Sequence, residues 1–236
     1  MASGGNTETT IADKKSEFQL GLEALKQRGS ALLVVGSVPT ELYARASKQM
    51  LGAPDESRRR LLVLNSTTSV VNRLDPSIER STECTRTIRY TALARGTAAA
   101  TPHEPSLISD SCERHVTGEM GQLGAEITTD ITEFDRLANG LDPAELRVAF
   151  DCLPTLLEEY DKEHVFRFLH VLTTHVRSRK GMIHVWSPGK RDDVVNRTLE
   201  PLFDAVVELT VDGTEAKQRW HLNTVDVSSG WFVLEP

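Results

Sequence analysis

The stretch that most limits what this chain can become is the apolar run Ala31-Leu32-Leu33-Val34-Val35-Gly36. It passes through Ser37-Val38-Pro39-Thr40-Glu41 into a helix-patterned segment, residues 42–51. The pattern predicts strand, turn, helix, with a strand apolar enough to be buried on both faces, as in parallel sheets covered by helices. A strand that delivers its carboxyl end to a helix N-terminus brings free backbone N–H groups and the positive end of the helix dipole to one point. That is where α/β proteins hold phosphate.

The rest of the chain repeats the alternation. Residues 1–13 are small and polar and predict a disordered tail, leaving 14–236 as a single domain. Phe18, Leu22 and Leu25 recur at helical spacing, and Gln27-Arg28-Gly29-Ser30 closes that helix. Residues 61–64 predict a second buried parallel strand and 85–93 a third, with a polar, ambiguous stretch at 66–83 between them. The Gly-, Ala- and Pro-rich residues 94–112 read as a loop. Met120, Leu123, Ile127, Ile131 and Phe134 stripe one helix, and Val165, Phe168, Leu169, Leu172 and Val176 a longer one ended by Gly181. The strand 146–151 lies between them and 182–186 follows the second. Val195, Leu199 and Leu202 mark a further helix before three late strands, 205–210, 218–224 and 231–235, the first two joined by the hairpin-like Asp212-Gly213-Thr214. The expected fold is α/β: a mainly parallel sheet with helices on both faces and an antiparallel C-terminal extension at one edge.

At 236 residues and 39% apolar, the chain is long enough for one domain with a full core. A formal net charge of −7 argues against a broad nucleic-acid surface, so a nucleic-acid partner is not expected. The acidic excess and the small share of Lys, 8 of 27 basic residues, hint at a salt-rich or hot habitat. No apolar stretch approaches bilayer length and the first residues lack signal-peptide character, so the expectation is a soluble cytoplasmic protein with no membrane partner. Cys84, Cys112 and Cys152 are odd in number and widely spaced, which suits inert thiols better than disulfides or zinc.

A phosphate loop of the form G-x-x-x-x-G-K-[ST] uses glycines so that amides wrap the phosphates, Lys for charge and a hydroxyl for Mg²⁺. Laid from Gly36, its last three positions fall on Glu41, Leu42 and Tyr43: no glycine, no lysine and an added negative charge. Asp151, at the end of an apolar strand, stands where an ATPase holds Mg²⁺ through water, and equally where an acid caps the following turn. No Glu flanks it to orient a hydrolytic water. His164, His170 and His175 share one predicted helix at spacings of six and five, unsuited to paired metal ligands. Arg58–Arg60 and residues 177–180 form basic clusters without interleaved aromatics.

Taken together, Gly21-Leu22-Glu23-Ala24-Leu25, residues 28–36, residues 147–153 and residues 203–209 resemble the KaiC/RecA-like ATPase family, in the branch related to KaiC and RadA. The resemblance covers roughly residues 18–235 and lies mainly in the order of the motifs. It extends to haloarchaeal relatives that keep the fold without the Walker A motif. It implies a RecA-like sheet in which one strand separates the Ala31 strand from the Asp151 strand, and a nucleotide site of which Gly36, Ser37, Thr40, Glu41 and Asp151 are the relic. With the phosphate loop degenerate, the expected function is that of a non-catalytic, pseudo-ATPase domain with no cofactor and no metal. It would regulate or scaffold through a protein partner, either a second copy or an active RecA/KaiC-like ATPase. Two alternatives stand beside it: a divergent ATPase in which Asp151 still places Mg²⁺, and a nucleic-acid binder using Arg58–Arg60.

Overall fold

A computed structural model describes residues 5–68, 73–78, 81, 83–92 and 112–235. Helix α1 (Gly5–Arg28) leads into β1 (Ser30–Gly36), α2 (Thr40–Leu51) and β2 (Arg59–Asn65). Then come β3 (Thr85–Ala92), β4 (Glu113–Gly118), α3 (Met120–Ala138), β5 (Leu146–Phe150), α4 (Leu153–Glu159) and α5 (Lys162–Ser178). The chain continues through β6 (Met182–Pro188), α6 (Val194–Leu199), a single 3₁₀ turn (Glu200–Leu202) and β7 (Ala205–Asp212). It closes with β8 (Glu215–Leu222), β9 (Val227–Ser228) and β10 (Phe232–Val233). Helix α1 reaches back to Gly5 and so takes in residues whose composition suggests a tail. Most of 94–112, which the sequence reads as a loop, lies outside the described residues.

The strands form one sheet in the order β10-β8-β7-β1-β6-β5-β2-β3-β4, with β9 paired to β8. From β7 to β4 every neighbour pair is parallel. Beyond β7 the pairing turns antiparallel through a two-residue turn whose Gly213 takes a left-handed φ of 62°, which glycine adopts without steric cost. One strand, β6, lies between β1 and β5.

All seven residues of β1 are buried, and their period of two splits the core into layers. Ala31, Leu33 and Val35 face Leu123, Ile127, Ile131 and Phe134 of α3 and Val165, Leu169, Leu172 and Val176 of α5. Leu32 and Val34 face Leu25 of α1 and Tyr43, Ala46 and Met50 of α2. The sheet is therefore covered on both sides, as its continuous apolar strands require. Buried and part-buried charges fix the periphery. Asp130 of α3 accepts from Arg86 of β3 and Arg114 of β4, at 2.8 and 2.5 Å, while Asp204 accepts from the Ala31 amide and from Arg177 of α5, both at 2.8 Å. Among the described residues no helix is long and apolar enough to cross a membrane.

Candidate functional site

The carboxyl ends of β1, β2, β5 and β6 converge on the first turn of α2, and the residues there make a buried ionic cluster. Asp151 follows β5 directly and is 3% exposed. One turn into α2, Tyr43 points its phenol at this carboxylate and donates to Asp151 Oδ1 at 2.5 Å. The other carboxylate oxygen meets the guanidinium of Arg73, itself 3% exposed. Arg73 also lies over the Tyr43 ring at 4.1 Å, and Tyr43 stacks on Trp186 of β6 at 4.1 Å. Burial, and next the Asp151 charge, push the Tyr43 phenol well above its usual range, so it stays protonated and donates. Burial likewise raises Asp151, with Arg73 and the Tyr43 hydroxyl pulling the other way. Arg73 is the cation that makes a carboxylate tolerable at this depth. Its Nη1 is buried without a hydrogen-bond partner among the described residues.

Beneath the cluster, His184 of β6 is fully buried and shares a 2.8 Å hydrogen bond between Nε2 and Ser47 Oγ of α2. Burial, reinforced by Arg73 and Arg147, pulls the imidazole down to about 3. It is a neutral bridge between helix and sheet.

The structure divides the five positions that the resemblance assigns to a nucleotide site. Thr40, Glu41 and Asp151 line one crevice of about 320 Å³ with Asn65, Arg73 and Trp186. Gly36 and Ser37 open instead on a separate hollow of about 620 Å³, where Arg191 and Arg219 are already paired with Glu200 and Glu208. Gly36 itself is explained by packing: a Cβ there, at φ 155°, would stand 2.5 Å from the Leu209 carbonyl oxygen of β7. No phosphate cradle is needed to account for that glycine.

These residues do not fit a magnesium–nucleotide. Pro39 has no N–H, and the amides of Leu42 and Tyr43 are already donated to the Pro39 carbonyl at 3.0 and 3.4 Å. Tyr43 sets an aromatic ring where a short hydroxyl side chain would leave room for a metal, and both Asp151 oxygens face resident groups. Glu41, exposed in the first turn of α2, adds negative charge. Among the described residues no three His, Cys, Asp or Glu side chains gather in a way that could hold a metal ion. His164 and His170 are exposed on α5, and the side chains of Arg59 and Arg179 are tied to Glu145 and Asp135.

Sequence reasoning reached Asp151 and the Tyr43 position but missed Arg73, Trp186 and His184. Arg73 sits in the polar stretch 66–83, which carries no periodic signal, whereas His184 is the lone polar side chain in the apolar run 182–186.

No curated protein matches the chain. Residues 29–209 match DUF7504, a family of unknown function. That span runs from the start of β1 into β7 and contains Tyr43, Arg73, Asp151 and His184. The chain belongs to the DUF7504 family.

Proposed function

We propose that this chain is a non-catalytic RecA/KaiC-like domain, a pseudo-ATPase that works as a regulatory or scaffolding partner. The observation that carries the reading is the Tyr43–Asp151–Arg73 cluster: a guanidinium and a phenol occupy the two sides of the carboxylate at which a metal would be placed. The strand order, with β6 alone between β1 and β5, supports the RecA-like part of the reading. A protein partner is supported by the sheet edge at β10, where Trp231, Phe232 and Val233 are each more than two-fifths exposed. Consecutive large apolar residues on an open edge are a ready contact surface. A second copy or an active relative is the expected occupant of such an edge.

Calorimetric titration of the full chain with ATP and Mg²⁺ tests the first half, and the expected result is no saturable heat. Micromolar binding abolished by Asp151→Asn would overturn it and restore Asp151 as a metal ligand, which requires Arg73 to leave. Light scattering over a dilution series, with and without ATP, tests the second half. Association indifferent to nucleotide is expected; a strict monomer with no protein recovered on the immobilised chain would overturn the partner role.

A further inference from the structure

At the end of the sheet opposite Asp151, where the parallel strands begin, α1, α2 and β8 leave a crevice of about 430 Å³ between them. Small-molecule sites span roughly 300–1,000 Å³. Its walls are apolar: Phe18, Leu22 and Leu25 from α1, Met50 from α2, Trp220 from β8 and Phe232 from β10. Its inner end is cationic.

Arg147, near the start of β5, lines that end and donates to the carbonyls of Ala144 and Met50 at 2.9 and 3.4 Å, with Met182 Sδ at 2.9 Å. It meets no carboxylate among the described residues. Beside it Arg58 donates to the Ala144 carbonyl at 2.6 Å and to both oxygens of Glu56 at 3.0 and 3.3 Å. Arg60, buried, is spent on the carbonyls of Leu51, the last residue of α2, and of Ala53 just beyond it, at 3.0 and 2.8 Å. Three guanidinium groups thus share one carboxylate, and the carboxyl end of α2 supplies only about half a unit of negative charge. Burial and then Arg58 pull Arg147 down to about 10, with the Glu56 charge opposing and Arg60 adding to the pull, which leaves it a cation at neutral pH. A partly dehydrated cation beside a carboxylate, Glu56, that is bonded to Arg58 instead is costly, and it stands at the end of a cavity whose walls are greasy. The cavity therefore offers an apolar environment and an under-neutralised cation to one kind of molecule.

We propose that this crevice binds an amphiphilic anion: a small molecule with an aliphatic or aromatic body lying along α1 and α2 and a carboxylate head at Arg147 and Arg58. The inference does not depend on the reading of the Asp151 cluster, from which the crevice is separated by the length of the sheet.

The experiment uses the full chain and decanoate as probe, below micelle-forming concentrations, followed by calorimetry and by the fluorescence of Trp220. Saturable one-to-one binding is expected, strengthening about fourfold per methylene from hexanoate to decanoate. Decanol, which lacks the charge, should bind at least tenfold more weakly, and Arg147→Gln and Arg58→Gln should each weaken decanoate by tenfold or more. Leu22→Trp, at a half-buried position that makes no side-chain hydrogen bond, should block binding while leaving the melting curve in place. Equal affinity for decanol and decanoate, or no saturation in the millimolar range, would overturn the proposal. If Arg147→Gln does not fold, the decanol comparison and Leu22→Trp decide alone. Dimerisation that Leu22→Trp abolishes and decanoate does not reverse would also overturn it, because a second copy would then fill the crevice.

Discussion

Replacing Arg73 with Met removes the one cation that contacts Asp151 among the described residues, while keeping the length and the apolar stem of the side chain. Both partners are 3% exposed, so the carboxylate left behind is largely withheld from water. Breaking such a pair from one side costs about 3–5 kcal/mol. The Tyr43 hydroxyl still donates to Oδ1, which holds the loss toward the lower figure, while the contact of Arg73 with the Tyr43 ring adds about 0.5–2 kcal/mol to it. The expected cost of Arg73→Met is therefore about 4 kcal/mol when Asp151 is present. In an Asp151→Asn background only the ring contact and packing remain, and the same substitution should cost about 1 kcal/mol. Urea unfolding of the four proteins at pH 7 measures the difference directly. Acidification supplies a second reading. Without Arg73 the Asp151 carboxyl is raised further, so the native state takes up its proton before the unfolded chain does and the gap to wild type narrows as pH falls. A coupling energy below about 0.5 kcal/mol, the level at which independent sites simply add, would refute the reasoning.

His184 gives a pH dependence of opposite sign. The unfolded imidazole takes a proton as pH falls through about 6.5, whereas the native one resists until about 3. Between those values the folded state should lose about 1.4 kcal/mol per pH unit through this residue, so denaturant titrations at pH 7 and 5 should show a drop that His184→Gln removes. Parallel behaviour of the two proteins would refute the assignment. Gly36→Ala should destabilise by about 1–3 kcal/mol, because its Cβ would press on the Leu209 carbonyl. Gly121→Ala, at an open position in the first turn of α3, should stabilise by about 0.4–1 kcal/mol in urea unfolding. Leu169→Ala, fully buried between α5 and the sheet, should cost about 2–5 kcal/mol in urea unfolding; an unchanged midpoint would mean that α5 packs otherwise.

The central strands are the easiest to read from sequence, because their surroundings are apolar on both faces. The runs in β1, β2, β5 and β6 announce themselves because a central parallel strand has no polar face to show. Strand β4 hides for the converse reason. As an edge strand it carries Glu113, Arg114, His115 and Thr117, with only Val116 and Gly118 buried toward the core, and its sequence pattern assigns it to no element. The candidate site shows the same division. Asp151 is legible because an acid at the end of an apolar strand interrupts a pattern. Arg73 is not, since nothing local distinguishes an arginine that will be buried against Asp151 from one on a solvated turn. The meaning of Tyr43 is equally hidden in one dimension: the motif test shows only that a Ser or Thr is missing. What replaces it chemically emerges once α2 lies across the ends of β5 and β6.

The strand order also sets a schedule for the growing chain. β1 pairs with β6 on one side and β7 on the other, and both are encoded far downstream. On the order of 150 residues must be added after Gly36 before Met182 appears, which at ~5–20 residues per second takes roughly 8–30 s. Throughout that interval the Ala31–Val35 run has α1 and α2 to lie against but neither of its strand neighbours. The most apolar segment of the nascent protein thus waits longest for its hydrogen-bonding partners, and the helices flanking it are its first shelter from other chains.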